Sequence, residues 1–250
     1  VELGMQSYTS YRNGQPFNGY MQDFRFYKGA AKYTSDFIPP NRINLLDLSG
    51  NSNNANNAGA TWQTSVSKFY GGAVAFDNSY ITIEETADFD FSGDFCFETW
   101  YYGNGFATQG GTTNLICSTQ TLDRFQIWNA SDYSFRIYLD ATTIIASPSN
   151  SLGHNAWHHL AATREDSTVR LFINGSQVAA GTDSSSLDIT NLYIGTQYRN
   201  GAPGHHYMKA MLQDLRIYNG HAKYTSSFSP PERSVQGTAR RYPSGVYVVS

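Results

Sequence analysis

The chain has 250 residues, of which 40% are hydrophobic, 15% aromatic and only 15% charged, with 22 glycines. That balance belongs to a turn-rich, aromatic-rich β protein rather than to a helical or disordered one. A formal net charge of −3, with 17 Lys and Arg scattered along the chain, gives no basic footprint for nucleic acid, and no apolar run approaches the ~18 residues that span a bilayer.

In chain order the first feature is one half of a repeat. Gln22-Asp23-Phe24-Arg25-Phe26-Tyr27-Lys28-Gly29 lies over Gln213-Asp214-Leu215-Arg216-Ile217-Tyr218-Asn219-Gly220 at an offset of 191 residues. The match runs on through Ala31-Lys32-Tyr33-Thr34-Ser35 over Ala222-Lys223-Tyr224-Thr225-Ser226, and both copies end in a Phe and a Pro pair. Solenoids and propellers repeat every ~20–50 residues, so a period this long implies whole domains in tandem. Residues 1–40 are expected to end a preceding module, 41–232 to form a complete one, and 233–250 to be a linker or the start of a further element. A single core in 41–232 would bury about 70% of the unfolded surface without metal or disulfide. The start Val1-Glu2-Leu3-Gly4 lacks an initiator Met and a signal-like apolar stretch, which favours a piece of a longer protein.

Period-two alternation then predicts strands at Ala73-Val74-Ala75-Phe76, Tyr80-Ile81-Thr82-Ile83, Phe95 to Tyr102, Phe125-Gln126-Ile127-Trp128, Phe135-Arg136-Ile137-Tyr138 and Val169 to Ile173. Asn174-Gly175 between Leu171-Phe172-Ile173 and Val178-Ala179-Ala180 signals a type I′ hairpin, which needs positive φ at both central positions. The pattern contains no helix of useful length. The expected fold is all-β, an antiparallel two-sheet β-sandwich or jelly roll. Cys96 and Cys117 either close a loop worth ~3 kcal/mol or are two small buried side chains.

An ordered set of motifs resembles the laminin-G-like modules of the concanavalin A-like superfamily. Leu45-Leu46-Asp47 with Ser49-Gly50-Asn51 resembles their opening, as does Phe69-Tyr70-Gly71-Gly72-Ala73-Val74-Ala75-Phe76-Asp77. Phe95-Cys96-Phe97-Glu98-Thr99-Trp100, Trp157-His158-His159-Leu160-Ala161 and the closing Asp-x-Arg-x-Tyr-x-Gly segment follow in the expected sequence. The closing segment is similar to module ends in bacterial and bacteriophage surface and tail proteins. The resemblance implies an extracellular or virion-surface location and a non-catalytic module. Its partners would be surface glycans or polysaccharides, or else neighbouring subunits of a fibre or particle.

Catalytic members of that superfamily carry alternating carboxylates on one strand, about 5 Å apart. The acidic cluster here, Glu84-Glu85 with Asp88 and Asp90, flanks a strand end, and Glu98 stands alone. Adjacent strand residues point to opposite faces, so neither His158-His159 nor His205-His206 chelates one ion without a bulge. The resemblance also implies Ca²⁺ at a sheet rim, where Asp77 and Asn78 are the candidate ligands. Hard oxygen donors suit that ion, and the alternative is that these residues end a strand in an Asx-turn.

Sugar binding needs aromatic faces and planar polar side chains. The candidates are Trp62, Trp128 with Asn129, and the loop carrying Tyr198, Arg199, His205 and Tyr207. Asn129-Ala130-Ser131 and Asn174-Gly175-Ser176 are formal glycosylation acceptors, although Asn174 is accounted for by its turn.

Overall fold

Alternation of apolar and polar side chains gives each strand one face to bury, and the chain satisfies this with two stacked antiparallel sheets. The computed structural model describes residues 45–47, 55–69, 72–84, 90–104, 112–118, 125–140, 143–189, 191–232 and 247–249. Residues Asn41–Ser250 form one unit and Val1–Pro40 another, and the N-terminal copy of the repeat lies outside the described residues.

The strands in chain order are β1 (Leu45–Asp47), β2 (Ala55–Ala58), β3 (Thr61–Gln63), β4 (Ala73–Phe76), β5 (Tyr80–Ile83), β6 (Asp90–Phe91), β7 (Phe95–Gly103) and β8 (Thr113–Ser118). There follow β9 (Phe125–Asn129), β10 (Phe135–Leu139), β11 (Thr143–Ala146), β12 (Trp157–Glu165), β13 (Thr168–Ile173) and β14 (Ser176–Thr182). The last are β15 (Leu187–Asp188), β16 (Leu192–Ile194), β17 (Gln197–Arg199), β18 (Ala202–His205), β19 (Ala210–Asn219) and β20 (Tyr247–Val249). Among the described residues there is no helix.

A nine-stranded sheet runs β1-β20-β19-β7-β12-β13-β14, with β4 on β19 and β3 on β4, and a seven-stranded sheet runs β11-β10-β9-β8-β16-β5-β2. Phe97, Tyr101, Leu160, Leu171 and Ile217 face inward from the first and meet Leu115, Ile127, Ile137, Leu192 and Ile194 from the second. Phe91, Phe95 and Phe125 close one part of this core, with ring centroids 5.6–6.0 Å apart. The predicted strands are all present, and Asn174 (φ 51°) and Gly175 (φ 79°) take the positive-φ pair that joins β13 to β14.

Neither Cys96 nor Cys117 is in a disulfide. Cys96 is on β7 of the nine-stranded sheet and Cys117 on β8 of the seven-stranded sheet, each on the face turned away from the shared core. The apolar interior therefore separates the thiols, and the reading of two small buried side chains is the one that applies.

The outer face of the nine-stranded sheet is covered by the segment after β19. Register sets Arg216 opposite Glu98 and Tyr218 opposite Cys96, and the chain then folds back so that Lys223 and Tyr224 reach the same carboxylate. Tyr224 and Phe228 stack face to face at 3.5 Å and pack against Phe172 and His159. Thr163 Oγ1 donates to the Tyr224 carbonyl at 2.8 Å, and Phe228 N donates to the Gly175 carbonyl at 2.9 Å. The closing motif is thus a latch that shields this face of the sheet.

Candidate functional site

Two polar constellations stand out, one closed and one open. The closed one centres on Glu98, whose residue is 1% exposed. Its Oε1 accepts from Arg216 Nη1 at 3.3 Å, from Tyr218 Oη at 2.9 Å and from Lys223 Nζ. Its Oε2 accepts from Tyr224 Oη at 2.6 Å and lies 3.3 Å from His159 Nε2. Burial alone would raise this carboxyl, but the His159 hydrogen bond and the Lys223 and Arg216 charges hold it well below the usual range. Burial and the Glu98 charge push the Tyr218 and Tyr224 phenols up, so both stay protonated as donors.

Arg216 also pairs with Asp214, so two carboxylates do approach one another here. Both are buried and engaged in ion pairs and hydrogen bonds that tie β7 to β19, as an architectural hub does. Glu98 stands alone in the sequence because its partners are 61–126 residues away. The repeated Asp, Arg, Tyr, Lys and Tyr were the visible half of the hub.

The open constellation is the outer face of the seven-stranded sheet. Register places Ile144, Tyr138, Gln126, Cys117, Tyr193, Thr82 and Asn56 in one row across all its strands, and Arg136, Trp128 and Asn114 in the next. Trp128 and Tyr138 meet edge to face at 6.4 Å and are both half-buried. Ile144 beside them is 56% exposed, the one large hydrophobic so exposed among the described residues. Farther along, Tyr193 contacts Tyr80 at 6.2 Å and stacks on Tyr198 at 5.1 Å.

The β17–β18 hairpin folds over this same face. Tyr198 N donates to Cys117 Sγ at 3.1 Å, and Cys117 Sγ in turn donates to the Thr196 carbonyl at 3.4 Å. The hairpin tip is Asn200-Gly201, both at positive φ, and Arg199 beside it is exposed. At the base the His205 carbonyl accepts from Thr196 Oγ1 at 3.0 Å, and the Tyr207 hydroxyl lies against Gly204. His205 and Tyr207 are half-buried.

Of the residues expected from sequence, Trp128 and Tyr198 come to this one face, and Arg199, His205 and Tyr207 border it on the hairpin and its base. Three groups do not. Asn129 is a correction: it is 2% exposed, and its amide nitrogen donates to Tyr101 Oη at 3.3 Å between the sheets. As the neighbour of Trp128 on a strand it must point the other way. The same burial closes Asn129 as a glycosylation acceptor. Trp62 is in β3 at the nine-stranded sheet, half-buried against the core and the Gly72 backbone.

Asp77 and Asn78 lie on the connection from β4 to β5, which carries the chain between sheets. There Asp77 N donates to Ser79 Oγ at 3.1 Å, and Asn78 takes a left-handed φ of 48°. Among the described residues no three of His, Cys, Asp and Glu are grouped to hold a metal. The Asp77 carboxylate and Asn78 amide oxygen are exposed and of the right chemistry for Ca²⁺, and would supply part of its shell of six to eight oxygens.

His158 and His159 do face opposite ways: His159 meets Glu98 on the latch side, and His158 does not. Tyr138, Arg136, Gln126 and Tyr193 were missed as part of the open face. The alternation that marked β9 and β10 as strands also put Tyr138 and Arg136 on the side of Trp128.

The family model described as the concanavalin A-like lectin/glucanases superfamily matches residues 75–223, more than half the chain and most of both sheets. The chain belongs to this superfamily. The chain also resembles several solved structures in fold. One is the botulinum neurotoxin serotype C1 binding domain, at 10% identity and a TM-score of 0.51 over 68% of this chain and 44% of that one. Another is the binding domain of botulinum neurotoxin DC in complex with SialylT, at 11% identity and 0.51 over 68% and 43%. A third, from work on cell entry of botulinum neurotoxin type C through two ganglioside molecules, gives 10% and 0.50 over 68% and 43%. At such identities the likeness is one of fold, and the chain spans less than half of each structure. No curated protein sequence matches the chain significantly. Among the described residues no helix of this concanavalin A-like chain is long and apolar enough to cross a membrane.

Proposed function

We propose that this is a non-catalytic glycan-binding module, and that it binds on the outer face of the seven-stranded sheet. The observation that carries the reading is the convergence of half-exposed rings, Trp128, Tyr138 and Tyr198, with planar polar groups on one face of a lectin-like sandwich. Rings of this kind stack on the CH faces of pyranoses, while amide and guanidinium groups fix hydroxyls. The similar binding domain solved in complex with SialylT, and the one from work on cell entry through two ganglioside molecules, support a sugar as the ligand class.

The reading extends to context. A glycan-binding module of a larger extracellular or virion-surface protein, tail-fibre-like and built of tandem units, fits the recurrence of the closing-segment residues of the Glu98 hub, Asp214, Arg216, Tyr218, Lys223 and Tyr224, at Asp23, Arg25, Tyr27, Lys32 and Tyr33. Residues 1–40 would then close a preceding unit. Calcium held by Asp77 and Asn78 is part of the proposal as a support of the rim rather than as a reactant.

A glycan-array screen of the full chain, repeated with chelator, tests this. Selective binding without turnover of the bound glycan is expected, and the chelator arm decides the metal. Silence from a folded sample would favour the other partner class, neighbouring protein subunits of a fibre or particle.

A further inference from the structure

Resting on the reading of the open face as a glycan site, the geometry points to Arg136 as the residue that fixes the sugar there, and to a neutral pyranose as its ligand. Arg136 is directly opposite Trp128 across the β9–β10 pair, on the same side of the sheet as Tyr138 and Ile144. Side chains so opposed have Cβ atoms ~4.5–5.5 Å apart, so Arg136 and Trp128 rise from neighbouring points of the same face. The guanidinium is not free to swing. Its Nε donates to Ser134 Oγ at 2.7 Å and its Nη2 to Asp132 Oδ2 at 2.8 Å.

Asp132 is anchored in its turn. Its Oδ1 accepts from Ser134 N at 3.1 Å and Ser134 Oγ at 2.5 Å, and its Oδ2 accepts from Ser149 Oγ at 2.9 Å. These hydrogen bonds, Ser134 first, hold the Asp132 carboxyl well below the usual range, so it stays ionised beside the arginine. A rigid donor next to an aromatic pair is the arrangement that orients a ring hydroxyl. Because Asp132 balances the charge, an acidic sugar gains little from Arg136 and meets a carboxylate close by. Asp132 is a positioning residue, and it also sets the preference for uncharged ligands.

The test uses the full chain on an array holding neutral and acidic glycans, followed by calorimetry with the best binder and with a sialylated lactose as the acidic probe. Melting curves establish that each variant is folded. Neutral glycans are expected to bind. Arg136→Met should weaken them about tenfold or more, as loss of a central polar anchor does, and Arg136→Lys should not restore them because an ammonium lacks the fork.

Asp132→Asn is the discriminating variant. It is expected to weaken neutral binding and to strengthen binding of the sialylated probe severalfold, a change in selectivity that mere loss of structure does not produce. A wild-type preference for acidic glycans, or an Asp132→Asn chain with unchanged selectivity, overturns the inference. If Trp128→Ala abolishes binding while Arg136→Met leaves it intact, the glycan site stands and the role of Arg136 falls. If no glycan binds, or Trp128→Ala is neutral as well, the underlying reading falls with it.

Discussion

Glu98 illustrates how a buried charge is made tolerable. Removing a carboxylate from water costs several kcal/mol, and only a full set of donors offsets it. Glu98→Gln would leave Lys223 without its counter-charge and Arg216 with Asp214 alone, and a loss of about 3–5 kcal/mol is expected, measured by denaturant unfolding. The pH dependence follows from the depressed carboxyl. In the unfolded chain a Glu binds its proton near pH ~4.3, while in the folded one it stays ionised to lower pH. Its contribution is therefore present above that value and is lost as pH falls toward the folded value. Asp214, raised by burial, acts in the opposite sense and shallows the slope. The acid limb of the wild-type stability profile should flatten in Glu98→Gln; an unchanged limb would mean the hub is not the titrating element. The repeated motif betrayed these residues from sequence, but their common acceptor was hidden because only the sheet register brings β7 beside β19. Trp128 and Asn129 teach the converse, since residues adjacent in a strand serve opposite faces.

At the scale of elements, the β13–β14 hairpin and the latch depend on one another. Gly175 gives the turn its second positive φ, and a Cβ there would overlap the Phe228 carbonyl oxygen. Gly175→Ala is thus strained on both counts. A cost of about 2 kcal/mol is expected, seen as a melting temperature lower by ~4–8 °C. An alanine variant that melts like wild type would show that the latch does not bear on this turn. Asn-Gly between two apolar runs made the hairpin legible in advance. The latch was not, because its strand-like sequence leaves the sheet after Asn219 and binds through side chains rather than through a ladder. The β17–β18 hairpin was similarly legible as a polar-aromatic loop, while its fold-back onto Cys117 and Tyr193 is a tertiary fact.

For the whole molecule, the two-sheet architecture was readable because alternation, turns and the ordered motifs all agree on it. Which sheet face stays open was not readable, since both outer faces carry aromatics and only the latch distinguishes them. The separation of Cys96 and Cys117 by the core predicts that reductant leaves the melting temperature unchanged and that two thiols react only on unfolding; a reductant-sensitive transition would contradict this arrangement of strands. The most direct test of the central claim is a crystal structure of the full chain soaked with the strongest glycan from the array. Sugar density over Trp128 and Tyr138, within reach of Arg136, is the predicted result. Density against Trp62, at the Asp77 connection or on the latch side of the nine-stranded sheet would contradict it.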